Sequence, residues 1–134
     1  MSATPSDDEN EVRRLIERWA AAVRARDIAG VMAAHAPDVL MFDVPPPLQI
    51  RGAEEYQESW PALFEWFGSK GRFDLDELEV VAGREVAYAH GVVNCAGVNP
   101  DGSEDPIVVR LTMCLRKVDG AWTVTHEHHS VPST

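Results

Sequence analysis

Basic residues, cysteines and long apolar runs are all scarce in this sequence, and each scarcity excludes a class of protein. Lys and Arg number 12 against 22 Asp and Glu, a formal charge of −10. No nucleic acid and no anionic membrane is expected as a partner, because phosphate binding needs a basic face. There are only two cysteines, Cys95 and Cys114, and they form no CxxC pair. That removes a disulfide framework and fits a reducing, cytoplasmic setting. No apolar run approaches the ~20 residues of a membrane span. Met1–Asn10 is polar and acidic, without the apolar stretch of a secretory signal. Internal repeats and low-complexity segments are likewise missing.

What is present is an ordinary globular composition, 45% hydrophobic and 25% charged. Its 134 residues allow one domain, with roughly two-thirds of the chain's surface buried and room for an internal pocket. We expect residues 1–7 to be a flexible tail and 8–134 a single domain. Ser6 and Glu9 have capping-box spacing. Val12, Leu15, Ile16, Trp19 and Val23 then recur at helical intervals, with arginines between them. Asp27 can cap a second helix carrying Ile28, Val31, Met32 and His35, stopped near Pro37. A short strand, Val39–Asp43, ends at three prolines. The third helix follows Gly52, with Tyr56, Trp60, Leu63, Phe64 and Phe67 on one side and a break at Pro61. Four strands follow, at Phe73–Ala82, Val86–Ala96, Ile107–Val118 and Trp122–Ser130, joined by short turns that include Asp119-Gly120. Helices first and an antiparallel meander afterwards predict an α+β fold, three helices packed on one face of a curved, mostly antiparallel sheet.

The most unusual segment is Trp122-Thr-Val-Thr-His126-Glu127-His128-His129-Ser130. Regular alternation from Trp122 and Val124 places His126 and His128 on the same face, about 7 Å apart. Turned toward the helices, these two would lie in an apolar cavity; the alternative is an exposed strand end. Asp43 closes an apolar strand, where burial would raise its pKa toward the range of a general base and a nearby imidazolium would lower it; the alternative is a strand-end aspartate in water or one capping the turn into the prolines. On the third strand of the meander Val109, Leu111, Met113 and Leu115 alternate with Arg110, Thr112, Cys114 and Arg116. We expect the apolar set to meet a second subunit, giving a homodimer through the sheet, and Arg110 and Thr112 to line the cavity. Trp19, Tyr56 and Trp60 belong to helix stripes that form core, with polar edges that could hold a ligand. His35 and His90 read as structural. A His-x-His metal site, with Asp43 or His90 as third ligand, is the less favoured alternative.

The stretches VRRLIERWAAAVRARDIAGVMAAHAPDVLMFD and KVDGAWTVTHEHHSVP, with the Arg51-Gly52 opening of the third helix, resemble the nuclear-transport-factor-2-like superfamily. Within it the chain is similar to the SnoaL-like and ketosteroid-isomerase-like branch. The resemblance implies a cone-shaped α+β barrel with a deep apolar pocket, and often a homodimer. Asp43 falls where that branch keeps its catalytic aspartate, Trp19 where the isomerases keep an oxyanion-hole tyrosine, and Thr112 or Cys114 near their protonated aspartic acid. It implies a cofactor-independent isomerase, cyclase or dehydratase acting on an apolar carbonyl compound, without metal or cofactor. Joined to the strand pattern above, it leads us to expect Asp43, His126 and His128 to be the catalytic set. The alternative is a non-catalytic ligand-binding or accessory domain of the same fold.

Overall fold

The computed structural model describes residues 6–68 and 70–133. Of the expected tail, residues 1–5 lie outside the described residues, whereas Asp7 already belongs to the first helix. Helix α1 (Asp7–Ala25) starts in the predicted capping box, with Ser6 and Glu9 each satisfying the other's backbone N–H. Its stripe of Val12, Leu15, Ile16, Trp19 and Val23 is buried. Arg13 and Arg24 on its flank donate to the carbonyls of Leu78 and Phe73, both at 3.0 Å. Helix α2 (Ile28–Met32) is capped by Asp27 as expected but ends earlier. His35 therefore leaves the helix and opens strand β1 (His35–Phe42), which also contains Pro37. The third helix breaks into α3 (Ala53–Glu58) and α4 (Trp60–Phe67) at Ser59, just ahead of Pro61.

Strand β2 (Ile50–Arg51) follows the proline loop, and then come β3 (Arg72–Ala82), β4 (Val86–Val98), β5 (Glu104–Val118) and β6 (Ala121–Ser130). The sheet order is β2-β1-β6-β5-β4-β3, antiparallel except where β1 runs parallel to β6. It is therefore open and mixed, with β2 and β3 as its edges. Asp119 and Gly120 both take positive φ in the β5–β6 turn (50° and 81°), as the Asp-Gly pair predicts. Helix α1 lies against β3, α3 against β1 and α4 against β4, so the core fills the space between one sheet face and the helices. Gly97 lets α4 approach closely, because a Cβ there would lie 2.6 Å from Trp66.

The orientation of β5 reverses the expectation. Val109, Leu111, Met113 and Leu115 are buried in the core beneath the helices, whereas Arg110, Thr112 and Arg116 are exposed on the outer face. An apolar strand face needs only one cover, and here the helices supply it. A second subunit is not required for that face, and Arg110 and Thr112 do not line the cavity.

Candidate functional site

Antiparallel neighbours directly opposite each other share a sheet face. Leu111 stands opposite His129 and Met113 opposite Glu127, so these two β6 residues also point into the core. Leu115, however, stands opposite Val124, and between Cys114 and Leu115 the register shifts so that β6 carries one residue more than β5. That β-bulge at Thr125 reverses the alternation: Trp122 and Val124 face inward before it, Glu127 and His129 after it. His126 and His128 consequently sit on the other side. They remain neighbours, with ring centroids 6.3 Å apart, and Phe42 packs edge-on against both. His126 is half-buried with its Nδ1 on the Leu40 carbonyl at 2.7 Å, and His128 is exposed. The expected convergence of Asp43, His126 and His128 on one cavity does not occur. His90 and Thr112 pair in register with each other on that same outer face, and Thr112 pairs in turn with His128.

The inward residues build a different cluster. Glu127 is 0% exposed, yet its carboxylate is fully partnered. One oxygen accepts from the Tyr56 hydroxyl at 2.6 Å and from His35 Nε2; the other accepts from His129 Nε2 at 2.9 Å. The Tyr56 hydroxyl in turn accepts from Trp19 Nε1 at 3.0 Å. His35 stacks on the Tyr56 ring (centroids 4.7 Å apart, 28° between planes). Two elements make this possible. The early end of α2 delivers His35 to the start of β1, and the bulge delivers Glu127 to the same level of the core.

The electrostatics follow from burial and pairing in opposition. Burial alone would raise the pKa of Glu127, but hydrogen bonds from His129 and His35, and their charge, hold it down to about 2. For both histidines burial favours the neutral ring, yet the bond to Glu127 and its negative charge outweigh this and raise the pKa. The nearby charge of Asp43 adds to the rise at His129. Tyr56 is pushed well above the usual phenol range, first by burial and then by the Glu127 charge, so it stays a neutral donor.

His129 also faces a cavity of about 400 Å³, whose wall includes Met41, Asp43, Trp60, Leu63, Trp66, Phe73, Cys95 and Val109. With Nε2 committed to Glu127, its Nδ1 is left for whatever occupies that space. Asp43 is half-buried on the same wall, one oxygen accepting from the Val44 N–H at 2.8 Å. Cys95 is buried beside them, its thiol pushed up to about 12 chiefly by burial. Trp60 is 4% exposed and its indole N–H has no acceptor. Of the residues expected to touch a ligand, Trp60 does line the cavity. Trp19 and Tyr56 lie behind its wall as partners within the Glu127 cluster, and Arg110 and Thr112 are on the far side of the sheet. Asp43 is where it was expected.

Sequence reasoning missed Glu127, His129 and His35. The signal for the first two was the apolar face of β5: placing Val109 to Leu115 inward fixes the phase of β6 beyond the bulge. His35 carried no such signal. Among the described residues no group of three His, Cys, Asp or Glu side chains is disposed to hold a metal ion, and no helix is long and apolar enough to cross a membrane.

A family model described as a SnoaL-like domain matches residues 12–134. Among solved structures, a nuclear-transport-factor-2-like protein of unknown function from Pseudomonas putida KT2440 is 35% identical. The match covers 95% of this chain and 88% of that one, with a TM-score of 0.85. A candidate dehydratase of the same superfamily from Streptomyces avermitilis is 17% identical, covers 98% and 100%, and gives 0.84. A ketosteroid isomerase-like protein from Erwinia carotovora atroseptica SCRI1043 is 20% identical, covers 96% and 99%, and gives 0.79. The last two show the shared fold alone. No curated protein matches the sequence.

Proposed function

The chain belongs to the SnoaL-like domain family, and from that premise and its cavity we propose a cofactor-independent isomerase- or dehydratase-type enzyme acting on an apolar carbonyl compound. One observation carries this reading: Asp43 and His129 share the wall of a single apolar cavity, and the second nitrogen of His129 is fixed by a buried carboxylate. A base and an acid on the wall of one apolar cavity suit proton abstraction next to a carbonyl. The Asp43 carboxylate takes a proton from the carbon beside the carbonyl, and the His129 Nδ1–H donates to the carbonyl oxygen as the enol forms. In isomerisation Asp43 returns its proton to a different carbon and His129 recovers its own. In dehydration the enol O–H proton returns to His129 as the carbonyl re-forms, and the β-hydroxyl leaves as water with the proton that Asp43 took. Glu127 does not touch substrate; it orients the ring and favours its charged form. Two free cysteines and an acidic composition support a cytoplasmic setting for this activity. A second copy of the chain would cover the outer sheet face, where Val86, Tyr88 and Val108 are exposed, in place of the β5 face first considered.

The test is exchange in D2O. Wild type, Asp43→Asn and His129→Gln are incubated with a panel of enolisable aromatic ketones and β-hydroxy ketones, and deuterium uptake or loss of water is followed by NMR. Each variant should lose about 10²–10⁴-fold of the wild-type rate while retaining ligand binding. Binding with no exchange above background in any protein, or equal exchange in all three, would overturn the enzyme reading in favour of a ligand-binding domain.

A further inference from the structure

Two histidines share one buried carboxylate, but only one of them reaches the cavity. His129 lines it; His35 does not, and the His35 side chain is 1% exposed. With Glu127 ionised, the hydrogen bonds of His35 fix its charge. A carbonyl oxygen can only accept, so Nδ1, 2.9 Å from the Ala33 carbonyl, carries a hydrogen. Nε2 faces an oxygen of Glu127 that already receives the Tyr56 hydroxyl proton. An ionised carboxylate likewise only accepts, so this nitrogen donates as well. Both ring nitrogens of His35 are donors, which only the imidazolium provides.

We propose that His35 is the positioning residue of this site: a standing imidazolium that keeps Glu127 ionised and leaves His129 as the one histidine of the cluster that exchanges its proton with the cavity. The proposal deepens the acid–base reading above and rests on it for the use made of His129, though not for the assignment of charge. Its physical content is a count. His35 and Glu127 form a closed pair of zero net charge. His129 and Asp43 form the second pair, and both of these line the cavity. Without the His35 charge, Glu127 would pair with His129 alone, and its undivided negative charge would hold that imidazolium in its charged form against the burial that favours the neutral ring. With the charge present, the pull of Glu127 on His129 is shared, and the two imidazoliums also repel each other through it. His35 thus sets how readily His129 gives up a proton, without touching the cavity.

The groups that face His129 are few. Asp43 follows β1, His35 opens it, and Glu127 shares β6 with His129; Tyr56 comes from α3 and Cys95 from β4. Helices α1 and α4 supply the indoles of Trp19 and Trp60, with ring centroids 6.0 and 6.4 Å from His129, and β5 supplies Leu111. Tyr56 and Cys95 are both held protonated by burial through the neutral range. The proton exchanged near neutrality is therefore that of His129, and its release is coupled to the His35–Glu127 pair behind it.

The experiment is a histidine titration of the full chain, labelled with ¹³C and ¹⁵N at the imidazoles, from pH 4 to 10 without any ligand. In wild type, His35 should show the ¹⁵N shifts of a doubly protonated ring from pH 5 to 8, while His129 titrates. In His35→Gln, which keeps an N–H donor but removes the charge, the His129 midpoint should rise by about one unit, a tenfold gain in proton affinity. A neutral His35 at pH 7 in wild type overturns the proposal, and so does a His129 midpoint that stays put or falls in the variant. If His35→Gln does not fold, the wild-type ring state decides alone. No substrate enters these measurements, so a panel of ketones that shows no turnover leaves this result standing, and a failed titration leaves the exchange test of Asp43 and His129 intact.

Discussion

Replacing Glu127 by Gln is the sharpest perturbation of the cluster, since the side chain keeps its size and loses its charge. The glutamine presents one acceptor and one NH2 group where three donors now converge on two oxygens, so at least one donor is left facing another. Removing one partner of a buried ion pair costs about 3–5 kcal/mol. The pKa gives a similar figure. A fall from 4.5 to about 2, at roughly 1.4 kcal/mol per unit, is about 3 kcal/mol. For a domain of this size that lowers Tm by about 10–20 °C. The dependence on pH is the more telling measurement. Glu127 has a depressed pKa, so its contribution is complete above 4.5 and is lost as pH falls toward 2. His35 and His129 have raised values, so theirs is complete below 6.5 and is lost as pH climbs through the folded pKa. These are two views of one set of contacts and are not added; together they bound a window from about 4.5 to 6.5 where the cluster stabilises most. Urea unfolding followed by tryptophan fluorescence from pH 3 to 9 should show the wild type and Glu127→Gln furthest apart inside that window. A difference under 1 kcal/mol at pH 5.5, or one that stays constant across the range, would refute the assignment of charge.

Trp19 and Trp60 offer an internally controlled comparison, because Trp→Phe removes the same atoms at both. Trp19 loses a bond made to the buried Tyr56 hydroxyl, whereas Trp60 loses a buried N–H that has no acceptor. Trp19→Phe should be the more destabilising in urea, by about 1–2 kcal/mol, and equal losses would contradict the hydrogen-bond assignments. At the other end of the fold Asp8 accepts from Lys117 at 2.7 Å and from Trp122 Nε1 at 3.1 Å, tying α1 to the β5–β6 hairpin. Asp8→Asn should lower Tm slightly, and less so in high salt, because this ion pair is partly exposed; a loss insensitive to salt would mean packing rather than charge. In light scattering the wild type should have the mass of a dimer and Tyr88→Glu, on the outer sheet face, that of a monomer; a monomeric wild type or an unchanged mass in the variant would exclude that face as the interface.

The fold was legible because its rules are local. The capping box at Ser6, the Asp27 cap, the break before Pro61 and the Asp119-Gly120 turn each rest on chemistry within a few residues, and each stands where expected. The site was only half legible, because its geometry is set across strands. Asp43 lies at a strand end, which sequence can mark. Glu127 and His129 depend on one extra residue in β6, and nothing in Thr123-Val124-Thr125 announces it. Their phase was nonetheless encoded in the apolar residues of β5. Once Leu111 and Met113 are taken as core, the residues opposite them must be core too. His35 was beyond reach for a different reason: whether α2 ends before or after it depends on β1 pairing with β6, a contact some 90 residues away in sequence.

The composition of the inward strip also bears on what the cavity does. Along β6 the inward positions read Trp122, Val124, Glu127 and His129, two apolar residues followed by a charged pair in a core otherwise built of Ala, Val, Leu, Ile, Met, Cys and aromatic side chains. Replacing a buried ion cluster by apolar residues of similar size is often neutral or stabilising, so stability gives no reason to keep Glu127, His35 and His129 together. Holding an apolar ligand gives none either. A leucine at 127 and a phenylalanine at 129 would line the same space at less desolvation cost. What such a core could not do is present an imidazole whose far nitrogen is fixed by a buried carboxylate, with a second carboxylate on the wall of the same cavity. A ligand can be held without that arrangement, whereas proton transfer has a direct use for it, and for that reason the enzymatic reading is preferred to the binding one.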